Sequence, residues 1–140
     1  MKIDTAYLER CIATLDNART LLNKTNPESI DYDMYRSACI KEFEIILEQS
    51  GKLLRKALKP FFHSSKAVDQ LVFKEVFRHA VLRNIITTDD CERWLQYRDN
   101  RNNTSHDYGV NFAEETLVLL PRFIADATDL AVAINKLNTD

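Results

Sequence analysis

Glycine and proline are scarce: the 140-residue chain holds 2 and 3 of them. Few positions can therefore supply the left-handed backbone or the missing N–H that tight turns use. That disfavours a β-sandwich and favours helices. No run approaches the ~20 apolar residues of a membrane span, and the opening MKIDTAYLER carries no apolar signal region. A cytoplasmic protein with no membrane attachment is expected. Positive charge is not in excess either, with 19 basic against 21 acidic residues and a formal net charge of -2. No global field holds duplex nucleic acid non-specifically, although a small basic cleft is compatible with this balance. Cys11, Cys39 and Cys91 are widely spaced, with no CxxC or Cys/His pairing. Each falls on an apolar stripe, so they read as buried thiols in a reducing compartment. No metal or cofactor is expected.

What is present is a normal soluble mixture, 45% hydrophobic and 29% charged, read as one domain over 1–140. Apolar spacing predicts five helices. The first covers about 4–23, with Tyr7, Leu8, Cys11, Ile12, Leu15, Ala18 and Leu22 inward, and ends before Pro27. The second is long, about 31–59, with Tyr35, Cys39, Phe43, Ile46, Leu47, Leu53, Leu54 and Ala57 on one stripe, and Pro60 stops it. Ile40 and Ile45 leave that stripe and suggest a second apolar surface. Glu42, Glu44 and Glu48 read as a solvated set on different faces. Lys52, Arg55, Lys56 and Lys59 read as cations favoured at a helix C-terminus. The third helix is predicted over about 65–83, with Val68, Leu71, Val72, Val76, Phe77 and Ala80 inward. His63 and His79 have no ligand-like spacing and read as surface or rim residues. One of Thr87, Thr88 and Asp89 should cap the fourth helix, about 90–103. The fifth begins near 111 and carries Phe112, Leu117, Leu120, Ile124, Ala127, Ala131 and Ile134 inward, with a kink expected before Pro121.

The fourth helix departs from the ordinary pattern. At about 100° per residue, Glu92, Arg93, Gln96, Asp99, Asn100 and Asn103 collect on one face, which reads as water-facing. Cys91, Trp94, Leu95 and Tyr97 collect on the other, and Arg98, Arg101 and Asn102 continue that stripe. A guanidinium on a core-facing stripe is costly unless paired. Three explanations stand side by side: a frayed, wet last turn; an ion pair with Asp107 or with a carboxylate on another helix; or a polar pocket at an interface that receives an anion.

His106 follows five positions after Arg101, and Tyr108 two further. A lone histidine is most often a hydrogen-bonded structural residue. Beside arginine it also suits acid–base chemistry on phosphate, because it titrates near neutrality and the guanidinium stabilises charge on phosphoryl oxygens. No acidic cluster is present to hold magnesium, so the nucleophile in such chemistry would be a ribose 2′-hydroxyl, which selects RNA. Tyr108 could be a packing anchor, a stacking surface or a modifiable hydroxyl.

"RNNTSHDY" at 101–108 resembles the Arg-x4-His-x-Tyr signature of HEPN domains, in the branch paired with minimal nucleotidyltransferases. That branch is called nucleotidyltransferase substrate-binding protein, or HepT-type toxin. "IKEFEIILEQSGKLLRKAL" at 40–58 resembles the family's second helix, and "VFKEVFRHAVLRNIITTDDCERWL" at 72–95 its third helix, connector and Trp-bearing fourth. Ser50-Gly51 departs from the pattern, since relatives carry bulkier residues before the lysine at Lys52. The resemblance implies an all-α antiparallel bundle of about five helices, a homodimer with the motif near the dimer cleft, and a separate minimal nucleotidyltransferase as partner. It further implies metal-independent RNA cleavage, with Arg101 steadying the phosphate and His106 as general acid or base. Nucleotide transfer to Tyr108 would then silence the toxin. Arg98, Asn102 and Ser105 become candidates for holding substrate or nucleotide. The older family name implies a different role, a non-catalytic subunit that binds a substrate or nucleotide for its partner.

Overall fold

The computed structural model describes residues 2–104 and 110–139, and among these it is all-helical. The helices are α1 (Ala6–Asn23), α2 (Ile30–Leu58), α3 (Ser65–Asp69), α4 (Phe73–Leu82), α5 (Thr88–Thr104) and α6 (Val110–Thr139), with a 3-10 turn at Lys59–Phe61. Short connections fold successive long helices back on each other as an antiparallel bundle. α2 is the central element, packed against α1, α4, α5 and α6.

Local chemistry sets the helix starts. Ser29 Oγ accepts from the Tyr32 N–H at 3.1 Å, and Ser64 Oγ accepts from the Ala67 N–H at 3.1 Å. Of the three candidate caps for α5, Thr87 is used: its Oγ1 accepts from the Asp90 N–H, and Asp90 Oδ2 accepts from the Thr87 N–H, both at 3.1 Å.

The predicted third helix is in fact two. The Leu71 carbonyl accepts from Arg55 Nη2 at 2.9 Å, and the Val72 N–H donates to Glu75 Oε1 at 3.0 Å. Both backbone groups are withdrawn from a continuous ladder, and the chain restarts as α4. Val72, expected inside, is accordingly 60% exposed, and Tyr7, also expected inside, is 56% exposed. α6 remains one helix through Pro121.

The core is one contiguous cluster, to which α1, α2, α4, α5 and α6 all contribute. Its centre is aromatic. Phe43 meets Phe123 at 4.6 Å between centroids, Tyr97 meets Phe123 edge-on at 4.9 Å, and Trp94 stacks on Phe77 at 5.1 Å. All three cysteines are free and buried, and burial pushes the Cys39 thiol up to about 11. Ile45 packs on the core's edge and Ile40 is half-buried. Asn138 closes the bundle at the other end, donating to the Ile3 carbonyl and accepting from the Ile3 N–H, both at 2.8 Å.

Phe123 joins three rings and is fully buried. Phe123→Ala should therefore lower the unfolding free energy by about 3–5 kcal/mol, measured by urea denaturation.

Candidate anion site along the fifth helix

The roll of α5 about its axis is set by a buried carboxylate. Asp126 on α6 accepts from Arg93 Nε at 2.8 Å and Nη2 at 3.1 Å, and from Tyr97 Oη at 2.5 Å. Arg122 adds a contact at 3.4 Å, and Arg93 also reaches Asp90 at 2.7 Å. The Asp126 side chain is 1% exposed. A charge so placed is tolerable because several donors converge on it. Burial, then the hydrogen bond to Asp126, pushes the Tyr97 hydroxyl far above the usual tyrosine range. One turn along, Asn100 Nδ2 donates to buried Thr116 Oγ1 at 3.0 Å. Arg93 and Asn100 thus face α6 rather than water, correcting the expectation for that face.

With this flank against α6 and Trp94 in the core, Arg98 and Arg101 turn toward α4 and α2. The Arg98 guanidinium lies over the Phe73 ring, 5.0 Å from its centroid. Phe73 in turn lies against Gly51, where a Cβ would meet Phe73 Cδ2 at 3.3 Å. The unusual Ser50-Gly51 step therefore lets the ring approach the α2 backbone closely. Arg101 Nε lies 4.0 Å from Glu44 Oε2, and both side chains are partly exposed, at 37% and 43%. Of the three explanations for arginines on this stripe, a carboxylate on another helix is thus present for Arg101, at the outer limit of ion pairing. Glu44 and Glu48, one turn apart on α2, face the arginines rather than lying on separate faces.

Arg98 has a different environment. Burial holds its guanidinium below the usual arginine range; neighbouring Arg101 and Arg55 push the same way, and Glu48 opposes them. Three guanidiniums therefore gather beside two carboxylates, a local excess of positive charge on a chain that is slightly acidic overall. Arg55 is expected from sequence among the mostly solvated cations at the C-terminal end of α2. It is half-buried and belongs to this cluster.

Arg98, Arg101 and Asn102 lie on the last two turns of α5 and lead into 105–109. Asn102 is exposed. Ser105, His106 and Tyr108, together with Asp107, lie outside the described residues. The start of α6 is tied to α2, where Glu114 accepts from Tyr32 Oη at 3.1 Å and pairs with Arg36 at 3.5 Å. Among the described residues, no group of three His, Cys, Asp or Glu side chains is placed to hold a metal ion, and no helix is long and apolar enough to cross a membrane. His63 is exposed, and His79 is half-buried against Phe62 at 5.0 Å.

The family model described as "Nucleotidyltransferase substrate binding protein like" matches residues 5–136. The chain belongs to the nucleotidyltransferase substrate-binding protein-like family. A curated relative of Haemophilus influenzae, called probable ribonuclease HepT, is 27% identical over 110 residues, covering 79% of this chain and 74% of the relative. The fold also matches a solved Haemophilus influenzae structure, described as revealing the fold of a substrate-binding domain of a nucleotidyltransferase. That match has a TM-score of 0.79 at 22% identity and covers 94% of this chain and 99% of the other. The family bundle is therefore the scaffold on which α5 presents its arginines.

Two measurements test the clamp that orients α5. Arg93→Ala removes the two charge-assisted bonds Arg93 makes to the buried Asp126 carboxylate, leaving Tyr97 and the more exposed Arg122, and should cost about 3 kcal/mol in urea denaturation. Tyr97→Phe removes a hydrogen bond to a charged group and should cost about 1.5–3 kcal/mol at neutral pH. The folded state holds the Tyr97 proton more tightly than the unfolded state does. Its contribution is therefore full below about pH 10, where an unfolded tyrosine ionises, and is lost as pH rises above that. The variant should lose stability less steeply than the parent above that pH.

Proposed function

We propose that this chain is a single HEPN-like helical domain that works in the cytoplasm with a separately encoded minimal nucleotidyltransferase, and that it is a metal-independent endoribonuclease of the toxin–antitoxin type. The observation that carries this reading is the pair Arg98 and Arg101, turned inward on the last turns of α5 beside Arg55. That cationic face leads directly into the segment holding His106 and Tyr108. The name of the Haemophilus influenzae relative, probable ribonuclease HepT, supports the same chemistry.

In this reading the ribose 2′-hydroxyl attacks the adjacent phosphorus and the bond to the 5′ oxygen breaks, leaving a cyclic phosphate and a free 5′-hydroxyl. Arg101 stabilises charge on the non-bridging oxygens, and His106 moves the proton as general acid or base. Arg98, Asn102 and Ser105 hold the strand. Silencing proceeds by attack of the Tyr108 hydroxyl on the α-phosphate of a nucleoside triphosphate. A phosphodiester forms, pyrophosphate leaves, and the added negative charge competes with RNA for the arginines. A homodimer would set two such faces across one cleft.

The family description favours a second reading, in which the chain binds a substrate or nucleotide and the partner performs all catalysis. Incubation of RNA with purified protein in EDTA separates the two. The ribonuclease reading expects cleavage that falls at least about 100-fold in His106→Ala, with the helical circular dichroism spectrum retained. Cleavage retained in that variant overturns the role of His106. Co-expression with the nucleotidyltransferase followed by intact-mass analysis should show one added nucleotide mapped to Tyr108. A stable complex with neither adduct nor RNA turnover establishes the binding-subunit reading instead, and sedimentation at several concentrations tests the homodimer.

A further inference from the structure

We propose that Arg55 on α2 and Arg98 on α5 form a second phosphate-binding position beside Arg101, one that grips an RNA strand next to the bond to be cut. The proposal rests on the ribonuclease reading for its substrate, but it stands on geometry of its own.

Arg55 Nη2 donates to the Leu71 carbonyl at 2.9 Å. That bond holds one arm of the fork and anchors the side chain against the α3–α4 junction. Arg98 is held from the other side, its guanidinium over the Phe73 ring. Phe73 is wedged against Gly51, and a Cβ at Gly51 would stand only 3.6 Å from Arg55 Nη1. One aromatic ring and one bare stretch of helix therefore bring two guanidiniums from different helices together. Among the described residues, neither has a carboxylate within ion-pairing distance, in contrast to Arg93 and Arg36, which each have two. Glu48, the acidic residue that acts on Arg98, is itself exposed.

Two like charges, both half-buried and close together, raise each other's energy, and the arrangement gains most when a divalent or diffuse anion lies between them. A phosphodiester fits: guanidinium forks match phosphate oxygens in plane and spacing. Arg98 and Arg101 are three residues apart on one helix and so are neighbours on its surface. A strand with one phosphate at Arg101 can place the next at Arg98 and Arg55. Such a contact carries no base information; it fixes register on the strand. Inorganic phosphate or a nucleoside monophosphate, each with one phosphate, would meet the same cations but not span both positions.

The test uses the intact chain and a short fluorescein-labelled 2′-O-methyl RNA, which cannot react through its 2′ oxygen, so binding is read apart from cleavage. Arg55→Ala and Arg98→Ala should each weaken binding about tenfold and lower the salt slope by about 1. Lys24→Ala, an exposed cation near the opposite end of α2, should change neither. Arg55→Lys keeps the charge and should recover most of the salt slope. Thermal denaturation of each variant shows whether affinity follows charge or merely stability. On cleavable RNA, the loss in Arg55→Ala should fall mainly on KM, whereas Arg101→Ala should fall mainly on kcat. Affinity unchanged in Arg55→Ala, or lost equally in the lysine variant in step with its melting temperature, overturns the proposal while leaving the ribonuclease reading intact. Arg55-dependent binding without any RNA cleavage has the converse meaning: the strand-gripping position holds and the ribonuclease reading fails. Equal loss of affinity for a free mononucleotide and for the oligonucleotide shows a nucleotide pocket instead and overturns the spanning geometry.

Discussion

A single buried carboxylate governs how this bundle presents its chemistry. Asp126 lies deep in α6 and must be met by donors, and Arg93 and Tyr97 meet it from one flank of α5. Helix packing by apolar contact alone tolerates rotation, because leucine-like surfaces are forgiving. A buried ionic clamp is not, since every degree of roll lengthens bonds that the carboxylate needs. With the Arg93 flank held on α6, the helical repeat sends Arg98 over Phe73 and Arg101 toward Glu44. The energetic role of Asp126 and the geometry of the cationic face are thus two outcomes of one constraint.

Much of this was legible in the sequence. The stripe through Cys91, Trp94 and Tyr97 and its continuation into Arg98 and Arg101 follow from helical spacing, and α5 is built that way. The helix boundaries near Pro27 and Pro60 follow from backbone chemistry. The hidden features share one cause, a tertiary partner supplied from far along the chain. Arg93 looked solvated because Asp126 lies 33 positions away. A signal did exist: Asp126 falls among Phe123, Ala127 and Leu130 on the apolar stripe of α6, and an acid there calls for a buried cation. The break between α3 and α4 has no glycine or proline to announce it. It depends on Arg55 reaching across to Leu71, which no local pattern contains.

The cationic face also shows how a slightly acidic chain can carry a local excess of positive charge. Net charge governs behaviour beyond about a Debye length, whereas a half-buried cluster acts at contact distance where screening is weak. Acidic residues elsewhere oppose non-specific adhesion to polyanions without cancelling the local charge of the cluster. Glu44 and Glu48 offset part of the cluster's positive charge where α2 and α5 meet.

The aromatic centre has a practical consequence. The chain has one tryptophan, and that residue, Trp94, is 1% exposed, stacked on Phe77 and met edge-on by Tyr97 and Phe123. It sits one helical turn before Arg98, on the element that carries the arginines. Its emission is therefore an intrinsic optical gauge of how α5 is seated: blue while the indole stays dry, red-shifted when the helix lifts and water enters. The seating of α5 and the integrity of the core can be followed together, in one cuvette and without an added label.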